Sequence, residues 1–487
     1  MKKSELRIEL KKIRDALAQV DPGDASHQAG IAPDPAIIFT PPSHANALDP
    51  ERVLVIGNRG VGKSFWSAVL VHPETRAQVA IKYPRLQLDK LEAVLGFHED
   101  AGKDDGPAPS QTVLKQLLTK TEQPEEIWRA VLLKSLSSKF SFNLPASLQE
   151  IMAWSTENVE KTESLLREAD LSLYRSGKTF LIIFDALDRL GRDWNTISTL
   201  SEGLLRFALD VRGFKAIRSK IFMRTDQAND DSLFRFADAS KIRADSVKLV
   251  WQRTELFGLL YNQLLSNDAA SEALQSIGPS FGRLDILEQM LNEEEIQEYV
   301  FYIIAGEFMG AGAKRGRTYS WLFDHLADAF GETSPRSFLT ALQKAANHRP
   351  APADTAIDHN GIRAGVQDAS EIRVAQLKED YDWIDSVLQA LEELEVPCDP
   401  AVFKKRWLER KTVARVRAYS NTANNLLPLE LERSKTDPEG ALLLALSNIG
   451  VVEFRNENRI NMPDIFRVAA GIKRRGGVRP PQMKRRR

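Results

Sequence analysis

Hydrophobic and polar positions change period several times along the chain, and each change predicts an element. Residues 1–20 set Leu6, Ile8, Leu10, Ile13, Leu17 and Val20 roughly on one side, the spacing of an amphipathic helix. A proline-rich stretch, 21–50, reads as an extended arm or linker. Val53–Ile56 is a short apolar run that stops at a glycine, and Lys63–Val71 follows as a helix. Gln78–Lys82 reads as a short strand. From Pro84 to Arg175 the pattern is helical, broken by the acidic loop His98–Ser110. Five apolar residues in succession, Phe180–Phe184, predict a strand buried on both faces. A helix over Ile197–Val211 leads to strands at Lys220–Asp226 and Ser246–Trp251.

Beyond Arg253 the pattern is helical to Asn347, and residues 348–370 read as loop. Helices are expected around Ala375–Leu394 and Pro400–Leu408. The segment EGALLLALSNIG-VVEFR-NENR-INMPDIF then reads helix, strand, polar turn, strand, the order of a winged helix with Asn456–Arg459 at the wing tip. The expected domains are an N-terminal helix and arm (1–50), an α/β core (51–255) with a helical insertion (84–175), and a helical lid (256–350). A helical and winged-helix domain (351–470) and a basic tail (471–487) complete them.

Composition narrows the class. With 487 residues, 43% hydrophobic and 27% charged, the chain has enough apolar material for two or three packed cores. No apolar run approaches the roughly 18–20 residues that span a bilayer, and the charged N-terminus lacks the uninterrupted core of a secretory signal. A single cysteine, Cys398, excludes an internal disulfide and a cysteine cluster for zinc. A cytoplasmic location is expected. Net charge is −1, yet Lys473–Arg487 carries eight basic residues and no acidic one, which leaves the rest of the chain acidic. That asymmetry fits contact with nucleic acid or an acidic partner.

The chemistry sits first in Gly57-Asn58-Arg59-Gly60-Val61-Gly62-Lys63-Ser64, which matches G-x-x-x-x-G-K-[ST] throughout. Glycines let backbone N–H groups close on phosphate oxygens, and the helix that follows points its positive end at the same anion. Lys63 supplies a cation for the β- and γ-phosphates, Ser64 a hydroxyl for Mg2+, and the nucleotide-contacting stretch extends to Phe65. The second landmark is Asp185, which ends the Phe180–Phe184 run. A carboxylate at the tip of a central parallel strand faces the crevice where such sheets bind ligands, placed to hold Mg2+ opposite Ser64.

The phrase Asp185-Ala186-Leu187-Asp188-Arg189 resembles the D-x-L-D-R of STAND- and KAP-type ATPases rather than the Asp-Glu pair of ordinary AAA+ motors. Trp251-Gln252-Arg253-Thr254-Glu255-Leu256 is similar to a W-x-x-x-E-L helix start, and Ser334-Pro335-Arg336 resembles the lid helix that carries the sensor-2 arginine of origin-recognition-type AAA+ proteins. The chain thus resembles AAA+/STAND-type P-loop ATPases over about residues 50–350, and more loosely over 380–470, with the look of a bacterial antiphage-defence or mobile-element ATPase. The resemblance implies an α/β, ASCE-type parallel sheet with helical insertion and helical lid, followed by an α+β winged-helix domain. It also implies ATP and Mg2+, a homo-oligomer, and a partner effector protein. Arg224 with Thr225 falls at the sensor-1 position, Arg336 at sensor 2, and Arg235 or Arg243 could act as an arginine finger in trans.

One departure bears on rate. The glutamate that usually activates water after the Walker B aspartate is missing, and Asp188 is the nearest substitute, which favours slow hydrolysis. The expected function is a nucleotide-dependent switch or assembly scaffold. The alternative is a DNA-loading ATPase gripping duplex through the winged helix and Lys473–Arg487. A P-loop kinase fits less well, because no substrate-pocket signature accompanies the loop.

Overall fold

The buried apolar runs become a single parallel sheet. β1 (Leu54–Gly57) pairs with β4 (Ile217–Arg224) on one side and β5 (Val247–Lys248) on the other. β3 (Thr179–Phe184) lies between β4 and β2 (Leu91–Phe97), giving the order β2-β3-β4-β1-β5. β4 therefore separates the strand before the glycine loop from the strand that ends at Asp185, as the ASCE expectation requires. Every pairing is parallel, so the C-terminal tips of β1, β3 and β4 share one edge. These observations come from a computed structural model that describes residues 2–23, 31–103, 106–277, 286–423 and 426–474. Its contacts fall into two bodies, Ala25–Val250, and Met1–Asp24 with Trp251–Arg487.

In the first body α1 (Lys63–Val71) follows the glycine loop, and α2 (Pro73–Lys82) follows α1. Gln78–Lys82, expected as a strand, is the end of α2; Pro73 pre-sets the first turn and Val79 alone of those five is buried. The strand is instead β2, LEAVLGF, in the part before His98 of the stretch expected to be helical. Its Gly96 admits the Phe184 ring of β3, since a Cβ there would lie 2.5 Å from Phe184 Cε1. The insertion between β2 and β3 is an enlarged crossover that includes α3 (Glu125–Phe140) and α4 (Val159–Arg175). Trp128 of α3 packs edge-to-face on Phe97 and Phe184, and α5 (Trp194–Val211) brings Phe207 to the same cluster.

Three buried polar residues pin this body together. Asp170 of α4 accepts the backbone N–H of Lys215 (3.0 Å), Ala216 (2.6 Å) and Ile217 (3.2 Å), which fixes the start of β4. Lys220, fully buried in β4, donates to the carbonyls of Ala47 (2.9 Å), Asp49 (2.9 Å) and Arg52 (2.8 Å) and so ties down the turn before β1. His44 of the arm accepts from Trp66 Nε1 at its Nδ1 (3.0 Å), so its Nε2 carries the proton that reaches Val250 O (3.1 Å).

The second body holds the N-terminal helix, the helices from Arg253 to Asn347, and the C-terminal α+β part. Within it α6 (Pro335–Asn347) packs on α7 (His359–Asp380), which takes up 359–370 of the loop expected over 348–370, while 348–358 are neither helix nor strand. Gly361 and Gly365 of α7, readable as breakers, are close-approach sites: a Cβ would come within 2.8 Å of Ala345 O and 2.0 Å of Ala341 O. Then follow β6 (Glu395–Val396), α8 (Pro400–Glu409), α9 (Thr412–Ala423) and α10 (Pro438–Asn448). The hairpin β7 (Glu453–Arg455) and β8 (Arg459–Asn461) places residues 456–458 at the wing tip, and β9 (Lys473–Arg474) pairs with β6. The fold class is thus α/β with a C-terminal winged-helix part. Most of the basic tail, 475–487, lies outside the described residues. No helix among the described residues is long and apolar enough to cross a membrane.

Candidate functional site

At the tip of β1 the chain must turn sharply and leave its N–H groups facing outward. Gly60 and Gly62 take left-handed φ values of 80° and 102°, which only glycine adopts without steric cost, and Gly62 becomes the N-cap of α1. Gly57 is needed for space: a Cβ there would sit 2.8 Å from Val61 Cγ2 and 3.2 Å from Leu249 O. Lys63 reaches back across the loop and donates from Nζ to Gly57 O (2.8 Å) and Asn58 O (2.9 Å). Asn58, Arg59 and Ser64 are half-buried on the same rim, and Phe65 lies edge-to-face against Trp66. Burial pushes the Lys63 ammonium down to about 8, and the negative charge of Asp185 opposes that fall.

Asp185 keeps its backbone in the sheet, its N–H donating to Phe97 O at 3.0 Å, and its side chain is buried. Burial raises its pKa, while the Ser64 hydroxyl, donating to the carboxylate, and the charge of Lys63 pull the other way. Ser64 and Asp185 therefore meet. Among the described residues no three His, Cys, Asp or Glu side chains gather for a metal. The hydroxyl–carboxylate pair does suit Mg2+, a cation that keeps several waters and shares its remaining ligands with phosphate oxygens.

After Asp185 the chain turns through Ala186 at φ 56° into the short helix Leu187–Arg189. The turn brings Asp188 to Arg224 at the tip of β4, Nη1 to Oδ2 3.5 Å. Arg224 is held more firmly by Asp226, Nε and Nη2 each 3.1 Å from a separate carboxylate oxygen, a two-pronged pair. Those carboxylates overcome the effect of burial and raise the Arg224 pKa. Asp226 is the site residue that sequence reasoning passes over, although its place two positions beyond a strand-tip arginine was a usable signal.

The other expected residues have partners of their own or are exposed. Arg243 pairs with Asp231 (2.7 Å) and covers the Phe234 ring, and Arg235 is exposed. Arg336 belongs to the second body, where it heads α6 behind the N-cap Ser334 and donates to Gly23 O at 3.0 Å.

Loop, buried carboxylate and strand order together give the geometry of a P-loop on an ASCE-type sheet. No protein-family model matches the chain, and no curated protein matches it. Two similar solved structures are of the Aeropyrum pernix ORC2 protein, one of its ADPNP-ADP complexes and one of its ADP form. Each is 12% identical over 88% of this chain and 93% of the other, with TM-scores of 0.39 and 0.32. A likeness at this level carries no argument about the site.

Proposed function

We propose that the chain binds ATP with Mg2+ at residues 57–65 and hydrolyses it slowly, so that its nucleotide state acts as a switch. The observation that carries this reading is the convergence of Lys63, Ser64, Asp185 and Arg224 on one edge, with Asp188 in place of a glutamate. Lys63 and the loop N–H groups would hold the phosphates and offset charge that builds on the leaving oxygen. Bound Mg2+, held through Ser64 and Asp185, would neutralise phosphate charge. Asp188 would take the proton of the attacking water as its oxygen bonds to the γ-phosphorus and the bond to ADP breaks. Asp188 is one methylene shorter than the missing glutamate and is partly engaged by Arg224, which fits a slow step.

Slow turnover suits control of assembly, with further copies of the chain or with an effector protein, better than a fast motor. A second reading, an ATPase that acts on duplex DNA, is supported by the winged helix and by basic helices in the same body. The test of the first reading is direct: measure ATP affinity by calorimetry and phosphate release for the native chain and Lys63→Ala. Unchanged affinity in the variant, or release of a phosphorylated small molecule instead of phosphate, would overturn it.

A further inference from the structure

Between Lys404 and Arg417 stand seven Lys and Arg residues and a single acid, Glu409. The structure folds this run as helix, turn, helix: α8, the pair Arg410–Lys411, then α9. Phe403 and Trp407 bury α8, with Trp407 Nε1 donating to Val387 O at 3.1 Å. Over residues 412–420 of α9, Thr412 and Val416 are buried, Val413 and Ser420 half-buried, and Ala414, Arg415, Arg417, Ala418 and Tyr419 exposed. Lys404 is taken by Asp437 (2.6 Å), and Lys405 lies 3.9 Å from Glu409. Arg410, Lys411, Arg415 and Arg417 are exposed and, among the described residues, none is paired with a carboxylate.

The helix directly before the wing has the opposite character. α10 contains no Lys or Arg, begins at Asp437 and Glu439, and exposes Leu444. A helix with an acidic first turn is poorly suited to a groove walled by phosphate. The wing offers no alternative, because Arg455 pairs with Glu453 (2.6 Å) and Arg459 donates to Pro397 O.

We infer that α9, with the Arg410–Lys411 turn, is a docking face for the phosphate backbone of duplex DNA, and that α10 is not. The inference rests on the second functional reading and locates its contact. Arg415 and Arg417 on the exposed side of α9, with Arg410 and Lys411 in the turn before it, suit a groove about 12 Å wide, which admits an α-helix. Arginine forks match phosphate geometry two bonds at a time. A membrane surface is a poor occupant, since the open side lacks the broad apolar face of interfacial helices. With backbone contacts dominant, sequence preference should be weak.

The experiment titrates a fluorescent mixed-sequence duplex with the full chain at several salt concentrations, beside Arg415→Ala/Arg417→Ala and Arg415→Lys/Arg417→Lys. The Ala pair should weaken binding at low salt and reduce the slope of log K against log salt by about two, roughly 0.9 per lost contact. The Lys pair should keep the slope. Nucleotide affinity and far-ultraviolet dichroism, measured on the same samples, confirm that the variants fold. Unchanged slope and affinity in the Ala pair, with binding lost instead on truncation after Arg474, would overturn the inference and leave the second reading standing. Absence of duplex binding by the native chain would overturn both. Displacement of duplex by poly-glutamate at equal charge would assign the face to an acidic polypeptide and also overturn it.

Discussion

Raising the pH should weaken nucleotide binding through one residue, Lys63. Its ammonium sits half-buried against Gly57 O and Asn58 O, and burial holds its pKa at about 8 before any phosphate arrives. Bound phosphates, being anions, must raise it, so the complex keeps its proton over a range in which the free loop loses it. Apparent affinity then follows the charged fraction of the free loop: nearly full well below pH 8, and lost as pH rises through and above it. The charged fraction is about three-quarters at pH 7.5 and a tenth at pH 9, a weakening of about eightfold. The nucleotide's own phosphates have finished ionising by then. Calorimetric or fluorescent-nucleotide titrations at both pH values, with the fold checked by dichroism, measure it. Constant affinity would refute the reasoning. So would an equal fall in Lys63→Arg, whose guanidinium stays charged throughout.

Asp188→Asn should keep ATP affinity within about twofold while slowing phosphate release by at least about a hundredfold in single-turnover assays, the usual loss of a general base; native turnover would return Asp188 to a structural part. Native ATP affinity should fall when Mg2+ is chelated, whereas Asp185→Ala should bind ATP equally with and without the metal; a retained Mg2+ response in the variant would place the ion elsewhere. Asp170→Ala strands the buried N–H groups of Ala216 and Ile217, at about 1–3 kcal/mol each before relaxation, and the part-buried one of Lys215, so stability to urea should fall by on the order of 2–5 kcal/mol; a loss below about 1 kcal/mol would mean that water replaces the carboxylate.

The parts legible in the sequence are those where chemistry and pattern coincide. The loop after β1 declares itself by its glycines, and β3 by five buried apolar residues that end in a carboxylate. The strand–turn–strand of the wing was readable because its polar turn separates two short runs. β2 was missed because it borders the sheet: Glu92, Ala93 and Val94 are only half-buried, and the run lacks the continuity that marked β3. α7 was missed because Gly361 and Gly365 look like breakers until a neighbouring helix backbone is seen to need their missing side chains. Asp226 and Asp170 act through partners that folding supplies. Asp226 sits beside its arginine in sequence, yet only the fold joins that arginine to Asp188, and Asp170 meets its partners forty-five or more residues away.

Lys220 sets the size of the smallest piece of this chain able to carry the loop. An alignment of strands would begin that piece at β1, since the glycine motif starts there. The ammonium of Lys220, however, is satisfied by Ala47, Asp49 and Arg52, all of which precede β1. A fragment cut at residue 53 would leave a cation in the sheet interior with none of its three acceptors, and Trp66 behind the loop without His44. The arm is therefore an internal wall of the first body, and fragments intended for nucleotide work should retain it from residue 31 onward.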